Sequence, residues 1–94
     1  MTRAEERLLA ARLWHAAQPA DVPRLPWELA GDDLTVGLAD GHTARIVCTP
    51  LGYRVEISES GLVFAHGSSL RLAEALDQVQ DFVQNLNLSL RQGA

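Results

Sequence analysis

The stretch LTVGLADGHTARIVCTPLGYRVEISESGLVFAH, running from Leu34 to His66, decides the fold. Its apolar residues return at every second position. Leu34, Val36 and Leu38 alternate with Thr35 and Gly37; Ala44, Ile46 and Cys48 with Arg45 and Val47; Tyr53, Val55 and Ile57 with Arg54 and Glu56. An extended chain points successive side chains to opposite faces, so this rhythm predicts three strands sharing one apolar face. A fourth, Leu62 to His66, follows the turn residues Glu59-Ser60-Gly61.

Register follows from keeping the apolar faces in phase. A two-residue Asp40-Gly41 loop would pair Val36 with Arg45. A three-residue loop of Ala39, Asp40 and Gly41 pairs Leu38 with His42, Val36 with Ala44 and Leu34 with Ile46, and is the predicted connection. Gly41 then takes the left-handed conformation of a bulge, which costs glycine least.

Outside this stretch the period lengthens. Thr2-Arg3-Ala4-Glu5 has capping-box spacing, and behind it Leu9, Leu13 and Ala16, widened by Leu8 and Trp14, predict an amphipathic helix over residues 2–18. Residues 19–33 hold Pro19, Pro23 and Pro26, each removing a donor, so an ordered connector is expected, pinned to the core by Val22, Leu25, Trp27 and Leu29. After His66-Gly67, Ser68 or Ser69 can cap a second helix over 69–87, with Leu72, Leu76, Val79, Val83 and Leu86 as its apolar stripe and Phe82 beside it. Glu74, Gln78, Asp81 and Asn85 take its outer side. Residues 88–94 form a tail whose Leu86, Leu88 and Leu90 also alternate, as a short strand would. The expected whole is one α+β domain: helix, four-stranded antiparallel meander, helix, with both helices on the face carrying Leu34, Val36, Ile46, Val55 and Ile57.

Composition supports a folded domain and narrows its partners. Ninety-four residues at 47% hydrophobic content suffice for one core. Net charge is −4 and every basic residue is Arg, which opposes generic attraction to a phosphate backbone. Cys48 is the only cysteine, so no disulfide closes within the chain. Nothing at the N-terminus reads as a charged segment before an apolar one, and no apolar run approaches the ~20 residues that span a bilayer. The expected location is the cytoplasm, without a membrane partner.

His15, His42, His66 and Cys48 are the candidates for metal or acid–base chemistry, but none forms the short local pair that zinc sites use. No cofactor is expected. His66-Gly67-Ser68-Ser69 sets hydroxyls beside an imidazole at a helix start, an arrangement that capping explains without a nucleophile. Cys48 reads as a buried strand thiol with a raised pKa. The face opposite the core gathers Thr35, Thr43, Arg45, Arg54 and Glu56, with Phe64 or His66 joining from the fourth strand. Such a face either binds a partner or stays solvated around an Arg–Glu pair across strands. Leu62-Val63-Phe64-Ala65 has no polar side and needs cover.

From Tyr53 to Val83 the order of strand, short turn, strand, His66-Gly67-Ser68-Ser69 and then Ala73-Glu74-Ala75-Leu76 resembles the C-terminal part of HicB-type antitoxins over about a third of the chain. That family's Pro-rich turn containing Gly and Cys is missing. The element order also resembles the double-stranded-RNA-binding fold, but Ser68, Ser69 and a single Arg71 stand where that family has a Lys-rich helix start. Neither likeness amounts to membership or assigns a function.

The expectation is a non-enzymatic protein-interaction module, an inhibitor, antitoxin-like or accessory factor. Arg45, Arg54, Glu56, Phe64, His66, Leu88 and Leu90 are its candidate contacts, with another protein or a second copy as partner through the fourth strand, the C-terminal helix or the tail. RNA or single-stranded DNA on the Arg-bearing face, and an enzyme using His66, are the alternatives.

Overall fold

A computed structural model describes residues 1–20, 22, 24–38 and 41–92, with the side chains of Phe64 and of residues 86–92 outside the description. The elements are α1 (Arg3–Ala16), β1 (Glu28–Ala30), β2 (Asp33–Gly37), β3 (His42–Thr49), β4 (Gly52–Glu59), β5 (Leu62–Ser69) and α2 (Leu72–Gln92). The strands form one antiparallel sheet in sequence order, β1-β2-β3-β4-β5. On its inner face α1 lies over β1 and β2, and α2 over β3, β4 and β5. The layout is the expected α+β one with a strand more than four.

The additional strand falls inside the stretch read as an irregular connector. Beyond Pro26 every residue again has a backbone donor, and Gly31 at φ 65 turns the chain so that Glu28 pairs with Thr35 and Ala30 with Asp33. The rest of the connector is held by Trp27, buried at the core, and by half-buried Leu25 beside it; Leu29 is exposed.

The predicted first-hairpin register is the observed one. Leu34 pairs with Ile46, Val36 with Ala44, and the Leu38 amide donates to His42 O at 2.8 Å. Gly41 has φ 76. Ala39 and Asp40, the other members of the predicted loop, lie outside the described residues. At the next hairpin Thr49 faces Gly52 across Pro50-Leu51. Gly52 has φ 146, and a Cβ there would meet Ser69 O at 2.5 Å, so the backbones of β4 and β5 close on each other only because this residue has no side chain. The β4–β5 turn is Ser60-Gly61, both at positive φ, the geometry whose twist suits a two-residue hairpin.

The core is the strand face predicted from the alternation, Leu34, Val36, Ala44, Ile46, Val55 and Ile57, closed by Ala75, Leu76, Val79 and Val83 of α2. Helix α1 begins at the Thr2 capping box, with Glu5 N donating to Thr2 Oγ1 and Thr2 N to Glu5 Oε1, both at 3.1 Å. Its buried face is not the predicted one. Ala4, Ala11 and His15 are buried and Leu8 half-buried, whereas Leu9, Leu13 and Ala16 face out. Small residues let α1 approach the sheet closely, and His15 is bonded inside; the leucines that set the expected stripe lie on the far side of the wheel.

The second helix also differs from its predicted bounds. It spans 72–92 rather than 69–87, so most of the expected tail, Leu88 and Leu90 included, is helical backbone rather than a strand. β5 runs on to Ser69, whose Oγ accepts from Arg71 N at 3.1 Å and lies 3.0 Å from Glu74 Oε2. Ser69 therefore steers the strand into the helix from outside it and is not a member of its first turn.

Candidate functional site

Among the described residues, the helices leave uncovered the outer face of the sheet and the long edge along β5. On the outer face, register puts Thr35, Arg45, Glu56 and His66 in one cross-strand row, with Arg54 and Ser68 in the next. The structure thus brings together four of the predicted contacts, Arg45, Arg54, Glu56 and His66. Phe64 occupies the irregularity between the Ile57↔Ala65 and Ser58↔Val63 pairs, an extra residue on β5; its side chain, like those of Leu88 and Leu90, lies outside the described residues.

The ion pairs differ from the single cross-strand Arg–Glu pair expected. Arg45 spans strands to Asp33, its Nη2 at 2.9 Å and Nε at 3.2 Å from Oδ2, although Glu56 is its register partner. Asp33 Oδ1 also accepts from Cys48 N at 3.2 Å, which secures β2 to β3. Arg54 pairs along its own strand, with Nε donating to Glu56 Oε2 at 3.1 Å. Each guanidinium on this face therefore has a carboxylate beside it, and the face is locally balanced in charge.

His66 is exposed opposite Glu56, whose carboxylate Arg54 already engages. The recess His66 lines has no carboxylate in its wall. Cys48 is half-buried on β3 with its Sγ 3.3 Å from Asp32 O. Burial pushes its thiol pKa up; Arg7 opposes this, and Asp33 and Asp32 add to it. Among the described residues, no three His, Cys, Asp or Glu side chains converge as a metal site would need. No described helix is long and apolar enough to cross a membrane.

The edges of the sheet are unequal. β1 is short and follows Pro26, a form of edge that resists further pairing. β5 is longer, contains no Lys, Pro or acidic residue, and among the described residues pairs only with β4. Exposed apolar groups collect along it: Leu62 at 76% and Val63 at 52% near its start, and Leu70 at 80% beyond its end. Leu70 and Leu51, itself 87% exposed, flank an open cleft of about 560 Å³ with Tyr53, Arg54, Ser68 and Glu74 in its walls. Midway along the strand a smaller slot opens between β5 and α2 beside Ala65 and Gly67.

Sequence reasoning identified Leu62-Val63-Phe64-Ala65 as needing cover but missed the slot. Gly67 inside a strand was the available signal, since glycine there marks a close approach: a Cβ at this position would meet Gln78 Oε1 at 2.5 Å. It named His15 among the candidates for metal or acid–base chemistry but missed its burial and the hydrogen bond it accepts from Trp27 Nε1 at 3.0 Å.

Comparison of the chain with protein-family models, with curated proteins and with solved structures finds no match in any of the three.

Proposed function

We propose that this chain is a non-enzymatic protein-interaction module that receives a partner along the outer edge of β5 by strand addition. The observation that carries the reading is an eight-residue edge strand without charged or proline guards, interrupted once at Phe64, with exposed apolar side chains at its start and just beyond its end and recesses beside its middle and far end. An unpaired edge offers a row of backbone donors and acceptors. A partner strand that takes them gains main-chain hydrogen bonds, while the recesses beside it read alternate side chains.

The outer face supports binding less well. Its arginines are already partnered by Asp33 and Glu56, so a nucleic acid would have to displace those carboxylates as well as overcome a net charge of −4. For the same reason, the reading of Arg45 and Arg54 as partner contacts gives way to β5.

The test is co-purification from the native host with the immobilised wild-type chain, a Leu62→Lys/Val63→Lys variant and an Arg45→Ala/Arg54→Ala variant. The account expects a partner kept by the arginine variant and lost by the lysine variant. The reverse pattern would move the site to the outer face, and no retained partner would end the proposal.

A further inference from the structure

We infer that the occupant of the β5 edge is an extended strand from another protein, with one bulky apolar side chain on its helix-facing side and basic residues near it, rather than a second copy of this chain. The inference rests on the edge-docking function proposed above and adds the chemistry of the partner.

The first argument is volume. The slot between β5 and α2 measures about 180 Å³ and is walled by Val55, Ile57, Ala65, Gly67 and Phe82, with His66 and Gln78 as its polar members and no charged carboxylate, a mostly apolar set. β5 itself contributes little to filling it, because its own inward positions there are Ala65 and Gly67. A strand added beside β5 lies roughly 4.8 Å away and sends alternate side chains to the same face. One Leu- or Phe-sized group at the matching position reaches the slot. A second β5 whose middle lay opposite the slot would offer Ala65, Gly67 or Ser69 there, which leave it unfilled; its inward Leu62 would reach the slot only in a pairing displaced along the strand.

The second argument is charge. Gln78 Nε2 donates to Ser68 O at 3.1 Å, which sets the stripe Glu74, Gln78, Asp81 and Asn85 along the β5 side of α2. All four are exposed, and both charged members are acidic. Antiparallel self-pairing of β5 would bring two such stripes side by side, like charge against like. Lysine or arginine on an incoming strand meets the same carboxylates favourably.

The test selects short linear peptides from a random displayed library on the full chain, then measures the synthetic winners by titration against wild type, Ala65→Leu and Glu74→Arg/Asp81→Arg. Ala65→Leu fills the slot from within and should leave the melting temperature level or raised, so a loss of binding there is not a loss of folding. The expected winners carry a bulky apolar residue with Lys or Arg at a neighbouring or alternate position, and lose at least about tenfold in affinity against each variant. Winners without that pattern, affinities indifferent to both variants, or no winners at all would overturn the inference. A chain that sediments as a dimer with its β5 amides protected would overturn it too, but would leave edge docking standing with the second copy as occupant.

Discussion

The indole Nε1 of Trp27 donates a 3.0 Å hydrogen bond to Nε2 of His15, both side chains being buried. This one contact joins the connector ahead of β1 to the last turn of α1. It also fixes the histidine tautomer: Nε2 accepts, so the neutral ring carries its proton on Nδ1, which has no partner among the described residues.

Trp27→Phe should keep most of the packing and remove the donor, leaving two unpaired ring nitrogens in the interior. A loss of about 1–3 kcal/mol in urea denaturation is expected. Unchanged stability would show that the bond does not hold the connector.

Burial, and then the positive charge of Arg24, hold the His15 pKa below its ordinary value. The unfolded chain therefore binds a proton here at about pH 6.5 while the folded chain does not. Stability from this group is complete above that pH and declines as pH falls from there toward the lower folded value, because protonation also abolishes the acceptor for Trp27. His15→Gln, which cannot titrate, should flatten the dependence over that window in denaturation midpoints measured at successive pH values. An equal slope in both proteins would contradict the assignment.

Gln80 is buried in α2, and among the described residues neither of its amide atoms has a hydrogen-bond partner. Replacing it with Met, of similar length and without polar atoms, should stabilise by about 1 kcal/mol, which for a domain of this size raises the melting temperature by roughly 4–8 °C. A fall instead would mean that the amide has a partner.

Gly52→Ala places a methyl group at 2.5 Å from Ser69 O in a left-handed backbone position. It should cost more than about 1 kcal/mol. Gly37→Ala, with nothing within 4 Å of the added atom and an ordinary φ, should stay within about 0.5 kcal/mol of wild type. Thermal melts of the two variants give the comparison.

The sheet was legible because its determinants are local. Alternation from Leu34 to Ile57 marked the buried face, and keeping Val36 opposite Ala44 fixed the hairpin. What escaped depended on distant partners. Trp27 lies twelve positions after His15, and no local period announces a bond between them. The face of α1 was misread for a related reason: Leu9 and Leu13 are more apolar than Ala4 and Ala11, but close approach to the sheet favours the small residues. β1 was hidden by Pro23 and Pro26, since three residues are too few to show a rhythm. At the candidate site, the uncovered need of Leu62-Val63-Phe64-Ala65 could be read from composition. The slot was missed, because its one sequence sign is Gly67 and its shape depends on Gln78 and Phe82 of the distant α2 settling over β5 there.

Amide hydrogen exchange along β5 in the isolated chain, read residue by residue by NMR, tests the open edge most directly. Alternate amides from Leu62 to Ser69 should exchange orders of magnitude faster than those of β3, and become protected when a selected peptide binds. Uniform protection along β5 equal to that of β3, in a monomer without ligand, would mean that the edge is already closed and that the docking surface lies elsewhere.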